Sequence, residues 1–293
     1  SYLQAGEKEK ARHCLQLMLN LRSEESRWGK AAWGYPFDWQ AKAFFVPQGE
    51  PNVICTTYCT LAIEAAAEHG LLEDAAPYIT AAADFVLAHL PCDNEQGYYL
   101  AYIPGSAALV HNASLWGAYL LCRAYAASGE EKYREAAEKA IATSLKAQGR
   151  QGEWIYGTMP HHHFIDGFHT GYNLEALYRC NQILQRQDIA QAIERGMEYY
   201  MHQFFDSHGR AAYYHNNPYP LDPHSSAQAI LTIQLIAPER YMAERERIAR
   251  YCCENLWNER GSYFYYQRQR RYTNRMNYLR WTQAWMHLAL VAL

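Results

Sequence analysis

Residues Ile189, Ala192, Ile193, Met197, Tyr200, Met201 and Phe204 recur three and four positions apart, with charged and amide residues between them. That spacing predicts a helix with one apolar face. Similar patterns run through about 5–22, 74–90, 130–147 and 238–256. Other stretches, such as 113–124 and 227–236, are apolar around most of the helical circumference. A helix of that kind offers no face to water and belongs in the interior. Outer and inner helices therefore alternate along the chain. The punctuation agrees with this. Ser128-Gly129-Glu130-Glu131 reads as a capping box, with Ser128 as the cap. Asp222-Pro223 sets a cap residue before proline at a first helical position. Gly70 stands where a helix should stop.

A repeat organises these helices. Each unit has a glycine turn, an aromatic strand-like run, a loop and an apolar helix. The runs are Gly97-Tyr98-Tyr99, Gly152-Glu153-Trp154-Ile155-Tyr156, 209–214 and Gly261-Ser262-Tyr263-Phe264-Tyr265-Tyr266, with a degenerate copy at Trp33-Gly34-Tyr35-Pro36-Phe37. A hydroxyl residue follows near the start of each inner helix: Thr57, Ser114, Thr170, Ser226 and Thr282, spaced by 57, 56, 56 and 56 residues. The pattern predicts an all-α fold, an α/α-toroid spanning residues 1–293 as a single domain. It is an incomplete barrel of about five helical hairpins, with short aromatic β-like segments at one mouth. An open helical solenoid has shorter repeats, roughly 33–47 residues, and no such segments.

Composition narrows the function classes. Hydrophobic residues make up 49% and charged residues 19%, the balance of a folded chain. No apolar run approaches the ~18 residues that span a bilayer. A net charge of -3 argues against a nucleic-acid binder held by phosphate attraction. The eight cysteines include no CxxC pair, which points to a reduced, cytoplasmic protein. A periplasmic location is the alternative if a signal segment precedes Ser1. Cys55 and Cys59 share a helix face but lack a Cys or His partner at ligand spacing, so no metal is expected. The 25 tyrosines supply surfaces that are half apolar and half hydrogen-bonding, as a sugar cleft needs.

The loops before the inner helices converge on one mouth, so function is sought there. Seven of the 13 histidines lie in them: His111, His161, His162, His163, His169, His215 and His224. The three consecutive histidines point in different directions, which disfavours a shared metal ion. Asp38, Asp166 and Asp222 stand at repeat-equivalent positions. Glycoside hydrolysis needs two carboxyl groups flanking one bond. Asp166 and Asp222 have helix capping as a competing duty, whereas Asp38 between two aromatics has none. Arg268, Arg270, Arg271, Arg275 and Arg280 cluster in one loop and helix start, and guanidinium groups bind planar carboxylates in a bidentate manner.

Three segments resemble α/α-toroid proteins of bacterial exopolysaccharide and lipopolysaccharide gene clusters. They are His111-Asn112-Ala113-Ser114-Leu115-Trp116, the stretch 165–177 beginning Ile165-Asp166-Gly167-Phe168-His169-Thr170-Gly171, and Arg280-Trp281-Thr282-Gln283-Ala284-Trp285-Met286. The likeness runs from about Trp33 onward and implies a role in surface-polysaccharide assembly or processing. More distantly, the architecture is similar to six-hairpin glycosidase-like enzymes. These include unsaturated-uronyl hydrolases, alginate and heparinase-type lyases, glucuronyl C5-epimerases and N-acylglucosamine 2-epimerases, although this chain has about five hairpins. The DDxxD and DxDD motifs of prenyltransferase and terpene-cyclase toroids are missing, as are the zinc ligands of lanthionine cyclases.

The resulting expectation is an enzyme for acid/base cleavage of an anionic, uronate-containing glycan, free or lipid-linked, without a cofactor. Asp38 and Asp166 form the expected carboxylate pair, assisted by His169 and His111. Arg275 and Arg280 hold the anion, and Trp39, Tyr172, Tyr214 and Trp281 stack on sugar rings. Gln40, Asn112, Asn173, His215, Asn216, Tyr219, His224 and Asn277 complete the binding set. One alternative is a lyase or C5-epimerase using His215 with Tyr219 or His169 with Tyr172. Another is a non-catalytic glycan-binding or scaffold subunit.

Overall fold

A computed structural model describes residues 2–40 and 45–293. The chain runs through α1 (Lys8–Asn20), the short α2 (Glu25–Trp28), a hairpin of β1 (Trp39–Gln40) and β2 (Phe45–Val46), and α3 (Val53–Glu68). Then come α4 (Ala76–His89), the hairpin β3 (Pro91–Asn94) and β4 (Gly97–Leu100), α5 (His111–Ser128) and α6 (Glu131–Lys146). Next are α7 (Gly167–Leu184), α8 (Gln187–Phe204), α9 (Pro223–Ile236) and α10 (Met242–Leu256). Two small antiparallel hairpins follow, β5 (Trp257–Asn258) with β6 (Tyr263–Phe264) and β7 (Gln267–Arg268) with β8 (Thr273–Asn274). A π-helical turn, Leu279–Gln283, leads into α11 (Ala284–Leu290).

The architecture is all-α, an α/α-toroid with short strands confined to the loops. Inner helices α3, α5, α7, α9 and α11 pack each against the next. Outer helices α4, α6, α8 and α10 lie on the inner helix that precedes each, and α1 lies on α3. Every residue of α5 from His111 to Cys122 is buried, as its apolar circumference requires. In α8 the buried set is one face that includes Ile189, Ala192, Ile193, Met197, Tyr200 and Phe204. One hydrophobic cluster extends from Leu15 to Ala289. Among the described residues no helix is long and apolar enough to cross a membrane.

One boundary differs from the sequence reading. Ser128 is the last residue of α5 rather than the cap of α6, and Gly129 ends the helix at φ +74°. Glycine adopts that left-handed conformation without steric cost. Ser128 Oγ instead donates to the Ala124 carbonyl at 2.8 Å and accepts the Glu130 N–H at 3.2 Å. By contrast, Asp222 caps α9 and Pro223 opens it, as expected. Gly70, at φ +71°, follows the end of α3.

Hydroxyl residues pin the starts of α3 and α5. Ser114 Oγ accepts the buried N–H of Leu100, and Thr56 Oγ1 accepts that of Trp33, both at 3.1 Å. Each ties the first turn of an inner helix to the aromatic segment before it. In α3 this duty falls on Thr56, one residue ahead of the Thr57 that the spacing suggests. Pairings of Val110 with Gly157, Asp166 with Tyr214 and Leu221 with Arg268 join each helix start to the aromatic segment of the next unit. Backbone hydrogen bonds thus link successive helix starts along the mouth.

Candidate active site

Residues Asn52, Val110, Asp166, Asp222 and Tyr278 cap the five inner helical segments. Two positions after these caps stand Ile54, Asn112, Phe168, His224 and Arg280, and all five line one cavity of about 560 Å³. That size lies within the ~300–1,000 Å³ of small-molecule sites. One turn deeper, α3, α5 and α7 contribute Tyr58, Trp116 and Tyr172, since residues four apart share a helix face. Trp285 of α11 joins them. Its ring centroid lies 5.9 Å from Tyr58, 5.6 Å from Tyr172 and 4.8 Å from His224, and Tyr58 lies 4.8 Å from Trp116. These rings floor the cavity. Trp39, Tyr102, Tyr156 and Trp281 from the loops form much of its wall.

The acid/base groups sit where α7 and α9 begin. Asp166 is 2% exposed, and both its oxygens serve His169. Oδ1 accepts the His169 backbone N–H at 2.8 Å, and Oδ2 accepts from the ring Nδ1 at 2.6 Å. In the neutral ring, a proton on Nδ1 leaves Nε2 as the lone-pair nitrogen. His169 lines the cavity and Asp166 stands behind it.

Asp222 also lines the cavity. Its Oδ1 accepts the His224 backbone N–H and its Oδ2 accepts from Gln267 Nε2, both at 2.8 Å. Burial outweighs these hydrogen bonds and pushes the carboxyl up to about 6. The His224 ring is sandwiched between Phe168 at 5.0 Å and Trp285 at 4.8 Å. Burial, reinforced by the charges of His169 and Arg280, pushes it down to about 3. Tyr172, fully enclosed and held well above its ordinary value, keeps its proton and donates it to His224 Nε2 at 2.5 Å. A neutral His224 that accepts at Nε2 carries its own proton on Nδ1.

Arg280 is packed among aromatic faces, 4.7 Å from the Tyr35 ring, 5.1 Å from Phe37 and 4.0 Å from Trp281. It lines the cavity, and its Nη2 has no hydrogen-bond partner. Tyr35 and Tyr102 share a 2.7 Å hydrogen bond beside it.

The structure therefore brings Trp39, Asn112, His169, Tyr172, His224, Arg280 and Trp281 together, with Asp166 behind His169, and places the rest of the expected set elsewhere. Asp38 is exposed, and its Oδ1 accepts the Gln48 N–H at 2.7 Å. Gln40, Asn216, Arg275 and Asn277 are also exposed and off the cavity wall. Asn173 is buried within α7. Tyr214, His215 and Tyr219 are half-buried in the loop before α9, where Tyr214 pairs with Asp166 and Asn217 and His215 leans on the Ile165 carbonyl. Cys55 and Cys59 are free thiols. Among the described residues no group of three or more His, Cys, Asp or Glu side chains is arranged to hold a metal ion.

His111 is buried against Ser144 Oγ at 3.1 Å, outside the cavity lining. Burial pushes it down to about 4. Above pH ~6.5 it is neutral in both folded and unfolded chains, and its contribution to stability is complete. As pH falls toward 4, the unfolded chain takes up a proton that the folded one refuses. The loss is about 3 kcal/mol at ~1.4 kcal/mol per pH unit. His111→Asn is expected to flatten that part of the stability curve, which urea midpoints at about pH 7 and about pH 4.5 would show.

Solved structures share this fold. The chain superposes on an unsaturated glucuronyl hydrolase from Bacillus sp. GL1 with a TM-score of 0.64 at 14% identity, covering 82% of this chain and 73% of that one. An α-mannanase from Bacteroides thetaiotaomicron gives 0.63 at 12% identity, covering 90% and 76%. Cellobiose 2-epimerase from Spirochaeta thermophila gives 0.61 at 16% identity, covering 84% and 70%. No family model and no curated protein matches the chain. At these identities the likeness is one of fold alone, the α/α-toroid.

Proposed function

We propose that the protein is a carbohydrate-active enzyme that cleaves an anionic, uronate-containing glycan by acid/base hydrolysis in this cavity. The observation that carries the reading is the pairing of unlike groups on one wall. A carboxyl that holds its proton up to about pH 6 stands in the same cavity as an imidazole whose free nitrogen is aimed by a buried aspartate. Separated acid and base roles are what glycosidic cleavage requires. Asp222 donates its proton to the leaving oxygen. His169 Nε2 takes a proton from the attacking water, and Asp166 holds the imidazole in the necessary tautomer and stabilises its charge. Asp166 is thus a positioning residue rather than a partner of Asp38. Arg280 receives the uronate carboxylate, and Trp39 and Trp281 stack on the sugar. The sequence resemblance supports a substrate from bacterial surface polysaccharide.

A second reading keeps the site and changes the reaction. His169, which lines the cavity with its Nδ1 held by Asp166 and its ring 6.0 Å from that of Tyr172, would then abstract the proton beside the uronate carboxyl, as in elimination or epimerisation. The two separate on one assay with uronate-containing oligosaccharides. New reducing ends without ultraviolet absorbance are expected. Absorbance from a new C=C bond would establish elimination, and proton exchange with heavy water without cleavage would establish epimerisation. His169→Gln is expected to lower kcat by ~10²–10⁴-fold. An unchanged rate would remove His169 from the mechanism.

A further inference from the structure

Residues 260–293 differ in charge from the rest of the chain. They hold six arginines and no Lys, Asp or Glu, so the net charge of -3 divides into +6 here and -9 elsewhere. Other arginines sit against carboxylates, as Arg186 does on Asp188, Arg210 on Asp206 and Arg240 on Glu194. Among the described residues, Arg268, Arg270, Arg271 and Arg275 form no ion pair, and all four are exposed. Large apolar side chains stand exposed between and beside them. Tyr272 is 66% exposed, Met276 55% and Leu279 77%. Such residues scattered singly over a surface need no explanation, whereas several in one loop mark a contact surface.

The fold holds this segment beside the cavity. Leu221, just before α9, and Arg268 exchange both backbone hydrogen bonds, at 2.8 and 2.9 Å, which ties the β7–β8 hairpin to the start of α9. Tyr263 Oη donates to the Arg275 carbonyl at 2.9 Å, and the rings of Tyr266 and Tyr278 meet at 4.7 Å, which secures the loop after β8. Tyr266 before the segment and Arg280 after it both line the cavity, so the residues between them form part of its rim. A glycan offers hydroxyls and flat C–H faces. The aliphatic side chains of Met276 and Leu279 can neither hydrogen-bond the first nor stack a ring on the second. A lipid surface takes both kinds of side chain at once, the apolar ones below the headgroups and the cations at the level of the phosphates. We propose that residues 268–279 dock the rim on an anionic membrane surface, with the mouth of the cavity turned toward the lipid. The proposal holds whichever reaction the cavity performs.

The test is co-sedimentation of the full chain with two kinds of vesicle, phosphatidylcholine alone and phosphatidylcholine mixed with phosphatidylglycerol. Binding is expected to the mixed vesicles only, and to weaken as salt is raised. A basic residue near such a surface strengthens binding about fivefold, so Arg270→Gln combined with Arg271→Gln should weaken it by about 25-fold. Tyr272→Ser combined with Leu279→Ser should weaken it too and leave its salt dependence unaltered, because these side chains supply the apolar part. All four side chains are exposed, so both variants should keep the wild-type urea midpoint. Should one fail to fold, the other carries the comparison. Equal binding to both kinds of vesicle, binding to neither, or full binding by either variant would overturn the membrane surface. Retention on polygalacturonate that needs the arginines but not Leu279, without vesicle binding, would overturn it in favour of a polyanionic glycan.

Discussion

Asp222→Asn is expected to be nearly inactive and at the same time more stable than the wild type at slightly alkaline pH. The activity arm follows from the role of the carboxyl. Asn cannot donate a proton to a leaving oxygen, and loss of a general acid lowers kcat by ~10²–10⁴-fold. The stability arm follows from burial alone. The carboxyl is pushed from 3.8 to about 6 in the folded chain, so above pH 6 the fold must enclose a charge that the unfolded chain gives to water. The penalty is fully present above about 6, shrinks as pH falls, and is gone below about 4. Its size is about 3 kcal/mol at ~1.4 kcal/mol per pH unit. The neutral amide escapes this penalty and keeps the cap, because its Oδ1 still accepts the His224 N–H. The Gln267 amide turns over to present its oxygen. Urea midpoints at about pH 8 and about pH 4 should show the variant ahead at the first and level at the second. For the wild type, kcat/KM should fall as pH rises through about 6, where the acid loses its proton. A variant that keeps its activity would remove Asp222 as the acid without touching the stability arm.

Much of the toroid was legible because the burden of burial is written along the chain. The inner helices have no polar face, the outer ones have one, and a step near 56 residues recurs. What the spacing left open was which face of each inner helix looks into the mouth. The hydroxyl set Ser114, Thr170, Ser226 and Thr282 lies four residues after the caps, and the cavity-lining set lies two residues after them. Two residues are about 200° around a helix. The hydroxyls therefore point into the packing, while Asn112, Phe168, His224 and Arg280 point into the cavity in the same register. The same step, shifted by two, would have marked the site.

The carboxylates show the other limit. Capping was recognisable for Asp166 and Asp222 and is real for both. A cap uses only part of a carboxylate, however, and the destination of the rest is tertiary. For Asp166 the second oxygen turns back onto His169. For Asp222 it meets Gln267, 45 residues away, inside a cavity that raises its proton affinity. Asp38 seemed to have no local duty, yet it accepts a backbone N–H ten residues further on, beyond β2. None of these partners is visible at the spacing of a motif.

Arg280→Met is expected to abolish the preference for an anionic sugar while leaving the cavity intact. The guanidinium lies among Tyr35, Phe37 and Trp281, so its stem fills space that an unbranched thioether also fills. What the substitution removes is the charge and the planar donor fork that fits a carboxylate. Hydrogen bonds to charged groups contribute about 1.5–3 kcal/mol each, and the substrate carboxylate would be left desolvated among aromatic rings. A drop in kcat/KM of ~10²–10³-fold on a uronate substrate follows, carried mainly by KM, because the carboxylate is bound alike in ground and transition states. The matching neutral glycoside should lose little or nothing. Arg280→Lys tests the geometry separately, since an ammonium supplies charge without the fork and should recover only part of the loss. If uronate and neutral substrates lose equally in Arg280→Met, the residue supports the aromatic wall and the anion is bound elsewhere. If neither loses, the cavity does not read charge at all, and the acid/base pair of Asp222 and His169 would have to act on a neutral glycan.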